Sequence, residues 1–243
     1  MKLIALTTAL AALLAGPLAA QEVTVRVAYE NNPGEPVDLV MNRWAELVTE
    51  ASGGEVALEL FPSSQLGAKQ DVIEQGMMGV NVITIADVGF LTDYDPDLGI
   101  LFGPYLTESP EKLFEIYESE WFKEKEAALR EKGIHIVISN YLYGTRQLLT
   151  KTPVETPDDL AGLKIRTPNN PMQIRAIEAM GGTATPMPLG DVYPALTQGV
   201  IDGVENPLAV LHGQKLHEQA KHLSMIGYLT NTSLWLGGEA YFA

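Results

Sequence analysis

Beyond an apolar leader, short segments alternating apolar and polar residues take turns with longer segments whose apolar residues recur every three or four positions. Val23-Thr-Val-Arg-Val27 alternates at period two, as a half-buried strand does. Val37, Val40, Met41, Trp44, Leu47, Val48 and Ala51 then mark one face of a helix, with Pro36 suited to its first turn and Gly53-Gly54 at its end. Val56 to Phe61 reads as a second strand, Leu66 to Met78 as a helix and Val80 to Ala86 as a short buried strand. One long charged helix is expected from Ser109 to Lys132, with Leu113, Phe114, Tyr117 and Trp121 as its apolar stripe, followed by a strand from Ile134 to Ile138. Single strands separated by helices predict parallel pairing with crossovers, the α/β class.

From Tyr143 the pattern restarts with smaller elements. Thr156-Pro-Asp-Asp159 combines a hydroxyl N-cap, a proline in the first turn and an acid three residues on, which starts a short helix. Strands are expected over Leu163–Thr167, Thr183–Met187 and Val200–Val204. Helices are expected over Pro171–Met180 and Asp191–Gln198 and from Asn206. Two successive βα runs predict two lobes, with the crossover near Tyr141–Gly144.

The N-terminus adds a compartment. Met1-Lys2, the apolar run Leu3 to Leu14 and the exit Gly16-Pro-Leu-Ala-Ala20 have the order of a secretory signal peptide, cleaved after Ala20. The run is shorter than the ~20 residues a spanning helix needs. Charge narrows the partners: 16 Lys+Arg against 31 Asp+Glu give −15, a surface that repels phosphate backbones and anionic lipid heads. Nucleic acid is not an expected partner. The chain has no cysteine, which removes disulfides, thiolate nucleophiles and Cys-ligated metals. With 46% apolar and 19% charged residues it can bury a core.

Enzyme motifs fail on spacing. His217 and His222 are five apart, about 140° around a helix, whereas two zinc ligands on one face need four. Asp93-Tyr-Asp-Pro-Asp97 resembles a calcium loop, but its glycine falls one place late and Pro104 stands where the bidentate acid belongs. Asp191, Asp202 and Glu205 contain acids of the kind glycosidases pair, with nothing to set their separation. No G-x-S-x-G, P-loop or G-x-G-x-x-G occurs. Neither an enzymatic function nor a cofactor or metal is expected.

Arginines in apolar, loop-rich sequence are more telling. Arg146 follows the crossover, Arg166 ends a predicted strand before Thr167-Pro-Asn-Asn170, and Asn206 lies where another strand ends. Ligands of open α/β sheets bind outside the carboxyl ends of strands. A guanidinium meets a carboxylate with two parallel hydrogen bonds. Composition and spacing thus point to an exported two-lobed α/β protein with an anion cleft.

Several ordered segments carry a resemblance. They are Gly144-Thr-Arg146, Thr156 to Pro168, Gly181 to Met187, Asp191 to Pro207, Phe61-Pro-Ser-Ser-Gln-Leu-Gly67 and Asp95 to Tyr105. Together they closely resemble the substrate-binding proteins of tripartite ATP-independent periplasmic (TRAP) transporters, the DctP-like family. The resemblance implies an α/β, two-lobed periplasmic-binding-protein-like fold with parallel and mixed sheets and a hinge. It also implies a monomer that captures a small carboxylate in the periplasm and passes it to integral membrane permease subunits. By resemblance Arg166 is the carboxylate clamp, Arg146 its second arginine and Asn206 the orienting asparagine. Asn169, Glu30 and Asp87 are further pocket residues. Leu189 and Phe90 depart from the family pattern and point away from a flat sugar ring, while Glu30 and Asp87 suit hydroxyl or ammonium groups on the ligand. A binder for an ABC-type importer and a secreted α/β enzyme stay open as alternatives.

The expected division is a signal peptide over 1–20, a first lobe over 21–143, a second over 144–231 and a returning strand over 232–243. Against the family the chain is expected to stop inside that strand, with the C-terminal part missing and apolar surface left uncovered near Trp235 and Tyr241.

Overall fold

A computed structural model of the protein describes residues 23–107 and 109–243; the expected signal peptide lies outside the described residues. Eight strands form one mixed sheet in the order β2-β1-β3-β8-β4-β7-β5-β6. β1 (Val23–Ala28), β2 (Val56–Phe61) and β3 (Val82–Ala86) pair in parallel, connected by α1 (Pro36–Ala51) and α2 (Lys69–Met77). β5 (Lys164–Thr167), β6 (Thr183–Pro186) and β7 (Gly203–Pro207) repeat this arrangement with α5 (Pro171–Ala179) and α6 (Val192–Gln198) between them. These two parallel groups are the sheets of the two lobes. They were legible as separate βα runs because each helix buries one apolar stripe and each strand is short.

Two 17-residue antiparallel strands join the lobes. β4 (Ile134–Thr150) and β8 (His222–Gly238) pair along their whole length, and between them they contact β3 on one side and β7 on the other. The expected five-residue strand at Ile134–Ile138 is thus only the first third of β4. Register shifts interrupt the ribbon between Ile136 and Leu148. There Gly144 takes φ +131° and lies against Pro207, where a Cβ would come within 2.9 Å of the proline ring. Such a backbone approach needs glycine.

The single helix expected over Ser109–Lys132 is two. α3 (Pro110–Tyr117) stops, and Ser119 caps α4 (Glu120–Glu131) by accepting a hydrogen bond from the Phe122 amide at 3.2 Å. The break lets Tyr117 and Phe122, ring centroids 4.8 Å apart, both enter the core. α7 (Leu208–Gly213) begins after Pro207, so Asn206 lies within β7 rather than opening a helix.

The expectation of uncovered surface at the C-terminus fails for Trp235. Its side chain is fully buried, packed between Trp44 at 5.8 Å and Tyr141 at 6.2 Å. Tyr241 and Phe242 of α8 (Glu239–Phe242) fold back on the same cluster, and Phe242 stacks on His135 at 5.0 Å. His217 lies in a 3₁₀ turn and His222 opens β8, so the two do not share a helix. In the calcium-like loop two of the three acids face Lys125, whose ammonium lies 3.2 Å from Asp95 and 2.5 Å from Asp97. Among the described residues no helix is long and apolar enough to cross a membrane.

Candidate functional site

Where the ends of β1, β3, β5 and β7 approach the β4–β8 ribbon, charged and amide side chains are buried together. Glu30 follows β1, Asp87 follows β3, Arg166 lies on β5, Asn206 on β7 and Arg146 on β4. With Lys69, Tyr143, Pro168, Leu189 and Ser233 they line a narrow inner cavity of about 20 Å³. Beside it opens an outer cavity of about 410 Å³ that shares Glu30, Lys69, Arg166 and Pro168. Asn169 is exposed and borders only this outer part. Its neighbour Asn170 is the buried one: it caps α5 by accepting from the Gln173 amide at 2.9 Å and reaches toward Asp87 at 3.4 Å.

The two arginines differ. Arg146 donates through Nε and Nη2 to the Glu205 carboxylate, with Nη2–Oε1 at 2.8 Å, and through Nη1 to Asn231 at 2.8 Å. Tyr228 and Gln173 add donors to that carboxylate at 2.6 and 3.0 Å. Burial works against the Arg146 charge, but Glu205 outweighs it and holds the guanidinium well above its ordinary pKa. This pair is internally complete. It also removes Glu205 from any acid pair with Asp202, whose carboxylate accepts from the Lys164 amide at 2.9 Å.

Arg166 has no such partner. Nε and Nη2 both donate to the Met187 carbonyl, at 3.0 and 2.7 Å. Among the described residues Nη1 has no hydrogen-bond partner, and the residue is 2% exposed. Burial pushes its pKa down to about 10 despite the carboxylates of Glu30 and Glu205 nearby. It remains charged at neutral pH, desolvated and half satisfied, which is how a carboxylate receptor is prepared. The Asn206 amide, 3% exposed, likewise has no protein partner among the described residues and lines the same inner cavity.

Opposite them, Glu30 pairs with Lys69 at 3.3 Å and accepts from the Leu189 amide at 3.4 Å, a contact from the first lobe to the second. Burial would raise the Glu30 carboxyl, but Lys69 and Arg166 together hold it below the usual range. Asp87 goes the other way: burial raises it, and Lys69 and Arg146 only partly compensate.

The structure therefore brings Arg146, Arg166, Asn206, Glu30 and Asp87 to one inner cavity and leaves Asn169 at its mouth. Sequence reasoning missed Lys69, Tyr143, Asn170, Glu205, Asn231 and Ser233. Glu205 stood next to Asn206 and could have been found as the acid a buried arginine requires; the others carry no local signal.

The family model for bacterial extracellular solute-binding protein, family 7, matches residues 27–236. A TRAP periplasmic solute-binding protein from Ochrobacterium anthropi, solved with bound L-fuconate, is 63% identical with a TM-score of 0.90, covering 91% of this chain and 73% of that one. One from Actinobacillus succinogenes with bound L-galactonate is 46% identical with a TM-score of 0.89, covering 90% and 72%. The 2,3-diketo-L-gulonate-binding periplasmic protein of Escherichia coli is 31% identical over 96% of this chain and 70% of its own length. The first curated relatives matched are longer, and the chain spans 59 to 71% of their length.

Proposed function

The chain belongs to the family 7 bacterial extracellular solute-binding proteins, and from that membership we propose that it captures a sugar acid, an open-chain aldonate, for a TRAP-type transporter. The observation that carries this reading is the pairing of two unsatisfied groups, Arg166 Nη1 and the Asn206 amide, at one buried cavity. A carboxylate satisfies both, because it accepts from a guanidinium and an amide at once. Arg146, neutralised by Glu205, positions Asn231 and the cavity wall rather than supplying a free charge. Glu30, Asp87 and Lys69 are left to meet hydroxyls, and Asn169 guards the mouth. The ligands of the fuconate- and galactonate-bound relatives support the aldonate class, and Leu189 and Phe90 offer apolar wall to a linear carbon chain.

The inner cavity has room for about one water, so the lobes part to admit a ligand and close over it. The β4–β8 ribbon, with its register shifts near Gly144, is the hinge, dividing a first lobe over 21–143 from a second over 144–231. Ligand stabilises the closed state because only there do groups of both lobes touch it. The protein acts as an exported monomer in the periplasm, after loss of residues 1–20, and hands the unaltered ligand to membrane permease subunits.

The test is a thermal-shift and calorimetric screen with L-fuconate, L-galactonate and simple organic acids. A bound acid at ~100 Kd adds about 2.7 kcal/mol of stability. Arg166→Ala is expected to abolish that response while the ligand-free protein stays folded. A wild type that responds to no acid, or an Arg166→Ala variant that responds equally, overturns the reading.

A further inference from the structure

We propose that Lys69 sets the ligand class by occupying Glu30, the carboxylate common to the inner and outer cavities, so that hydroxy acids are accepted and their amino counterparts rejected. The proposal rests on reading the cleft as a sugar-acid site and goes beyond it to a residue that discriminates among such acids.

Four carboxylates stand at or behind the cleft, and an ammonium-bearing ligand needs one of them free. Asp71 borders only the outer cavity, at its exposed rim, where it accepts from the Ala68 amide. Glu205 is not free: it accepts two bonds from Arg146 and one each from Tyr228 and Gln173. Asp87 is 4% exposed, and Asn170 approaches its Oδ1. Burial makes its ionised form unfavourable there. Glu30 is the accessible candidate, since it lines both the inner and outer cavities. Its Oε2 lies 3.3 Å from the Lys69 ammonium and its Oε1 accepts from the Leu189 amide. Lys69 therefore sits where a ligand ammonium would have to go.

The placement of Lys69 is built rather than incidental. It is the first residue of α2, whose start is fixed by the Asp71 carboxylate accepting from the Ala68 amide at 3.1 Å. Its ammonium lies 4.8 Å from the Phe90 ring centroid, a cation–π contact that holds the head group over the cleft floor. The side chain is only 14% exposed. An ammonium has three donors and no acceptor. Glu30 takes one, and the others can meet ligand hydroxyl oxygens but only repel a second ammonium. Glu30 and Asp87 alone would suit hydroxyls and ammonium groups equally; Lys69 removes the second option.

The experiment compares L-galactonate with its 2-amino-2-deoxy and 6-amino-6-deoxy analogues by calorimetry on wild type, Lys69→Met, Lys69→Arg and the double variant Lys69→Met/Glu30→Gln. Wild type is expected to bind the hydroxy acid and discriminate against both amines. Lys69→Met frees Glu30, so the affinity of at least one amino analogue relative to L-galactonate rises by roughly tenfold or more, the worth of a charge-assisted hydrogen bond. Lys69→Arg keeps the wild-type ratio, and the double variant loses the gain. A Lys69→Met ratio equal to wild type, with L-galactonate still bound by both, overturns the proposal and leaves the sugar-acid reading standing. If Lys69→Met does not fold, a Lys69→Leu variant supplies another neutral side chain without a donor. A gain that persists without Glu30 also overturns the assignment. A wild type that binds none of the three acids overturns the sugar-acid reading instead.

Discussion

The guanidinium of Arg146 and the carboxylate of Glu205 form a buried two-point pair, with Nη2–Oε1 at 2.8 Å, between residues 59 apart in sequence. Their union decides which of the two cleft arginines is left to bind a ligand. Arg146 is 3% exposed and Glu205 fully buried, so neither charge can be removed alone without stranding the other.

Glu205→Gln is expected to destabilise the protein by about 3–5 kcal/mol, the cost of an uncompensated buried charge. Replacing both partners, Arg146→Met with Glu205→Leu, should recover most of that loss. Urea melts of wild type and the two variants check it; a Glu205→Gln cost under about 1 kcal/mol would mean the pair is not desolvated.

Trp235→Ala should cost about 3–5 kcal/mol, as for large aromatic truncations in a closed core. The prediction follows from the complete burial of Trp235 between Trp44 and Tyr141. An exposed tryptophan at the end of the chain would cost little. Equilibrium urea unfolding distinguishes the two.

Gly213→Ala is expected to weaken binding of every accepted acid several-fold without changing their order. A Cβ at Gly213 would lie 2.4 Å from Glu35 Cγ. The Glu35 carboxylate cannot swing aside, because it accepts from Asn31 and Asn32 at 2.8 Å each and from Gln214 of the second lobe at 2.7 Å. The clash therefore opposes lobe closure far from the ligand. Calorimetric affinities for two or more acids, with scattering profiles of the ligand-free protein, provide the readout.

The two first-lobe carboxyls of the cleft, Asp87 and Glu30, predict opposite pH behaviour. Asp87 is raised above its ordinary value of 3.8, so its stabilising contribution is fully present below 3.8 and is lost as pH rises through the raised value. Asp87→Asn should therefore gain most over wild type at neutral pH, and that gain should shrink toward acid. Glu30 is lowered from 4.5, so its contribution is present above 4.5 and is lost as pH falls through the lowered value. Glu30→Gln should cost stability at neutral pH and converge with wild type in strong acid. Thermal melts from strongly acidic to neutral pH test both signs.

Much of the architecture is written locally. The period-two run of Val23–Val27, the apolar run Val56–Phe61, the helical stripe from Val37 to Ala51 and the Thr156-Pro-Asp-Asp159 start signal need only their neighbours to be read. The split between α3 and α4 was less visible, because Ser119 is helix-compatible until its hydroxyl is needed as a cap for Phe122. The length of β4 was hidden by Gly144 and by irregular register, which break the alternation a strand normally shows.

Local pattern and composition set out two α/β runs, an acidic chain without cysteine, and arginines and an asparagine at strand ends. Those properties follow from short-range periodicity and residue chemistry. Tertiary structure alone decided that Arg146 is neutralised and Arg166 is not, that Lys69 stands against Glu30, and that Trp235 is enclosed. Each of these depends on which distant strand end or helix start a side chain meets. A desolvated charge takes its meaning from its nearest partner, and here that partner is supplied by the pairing of strands rather than by nearness along the chain.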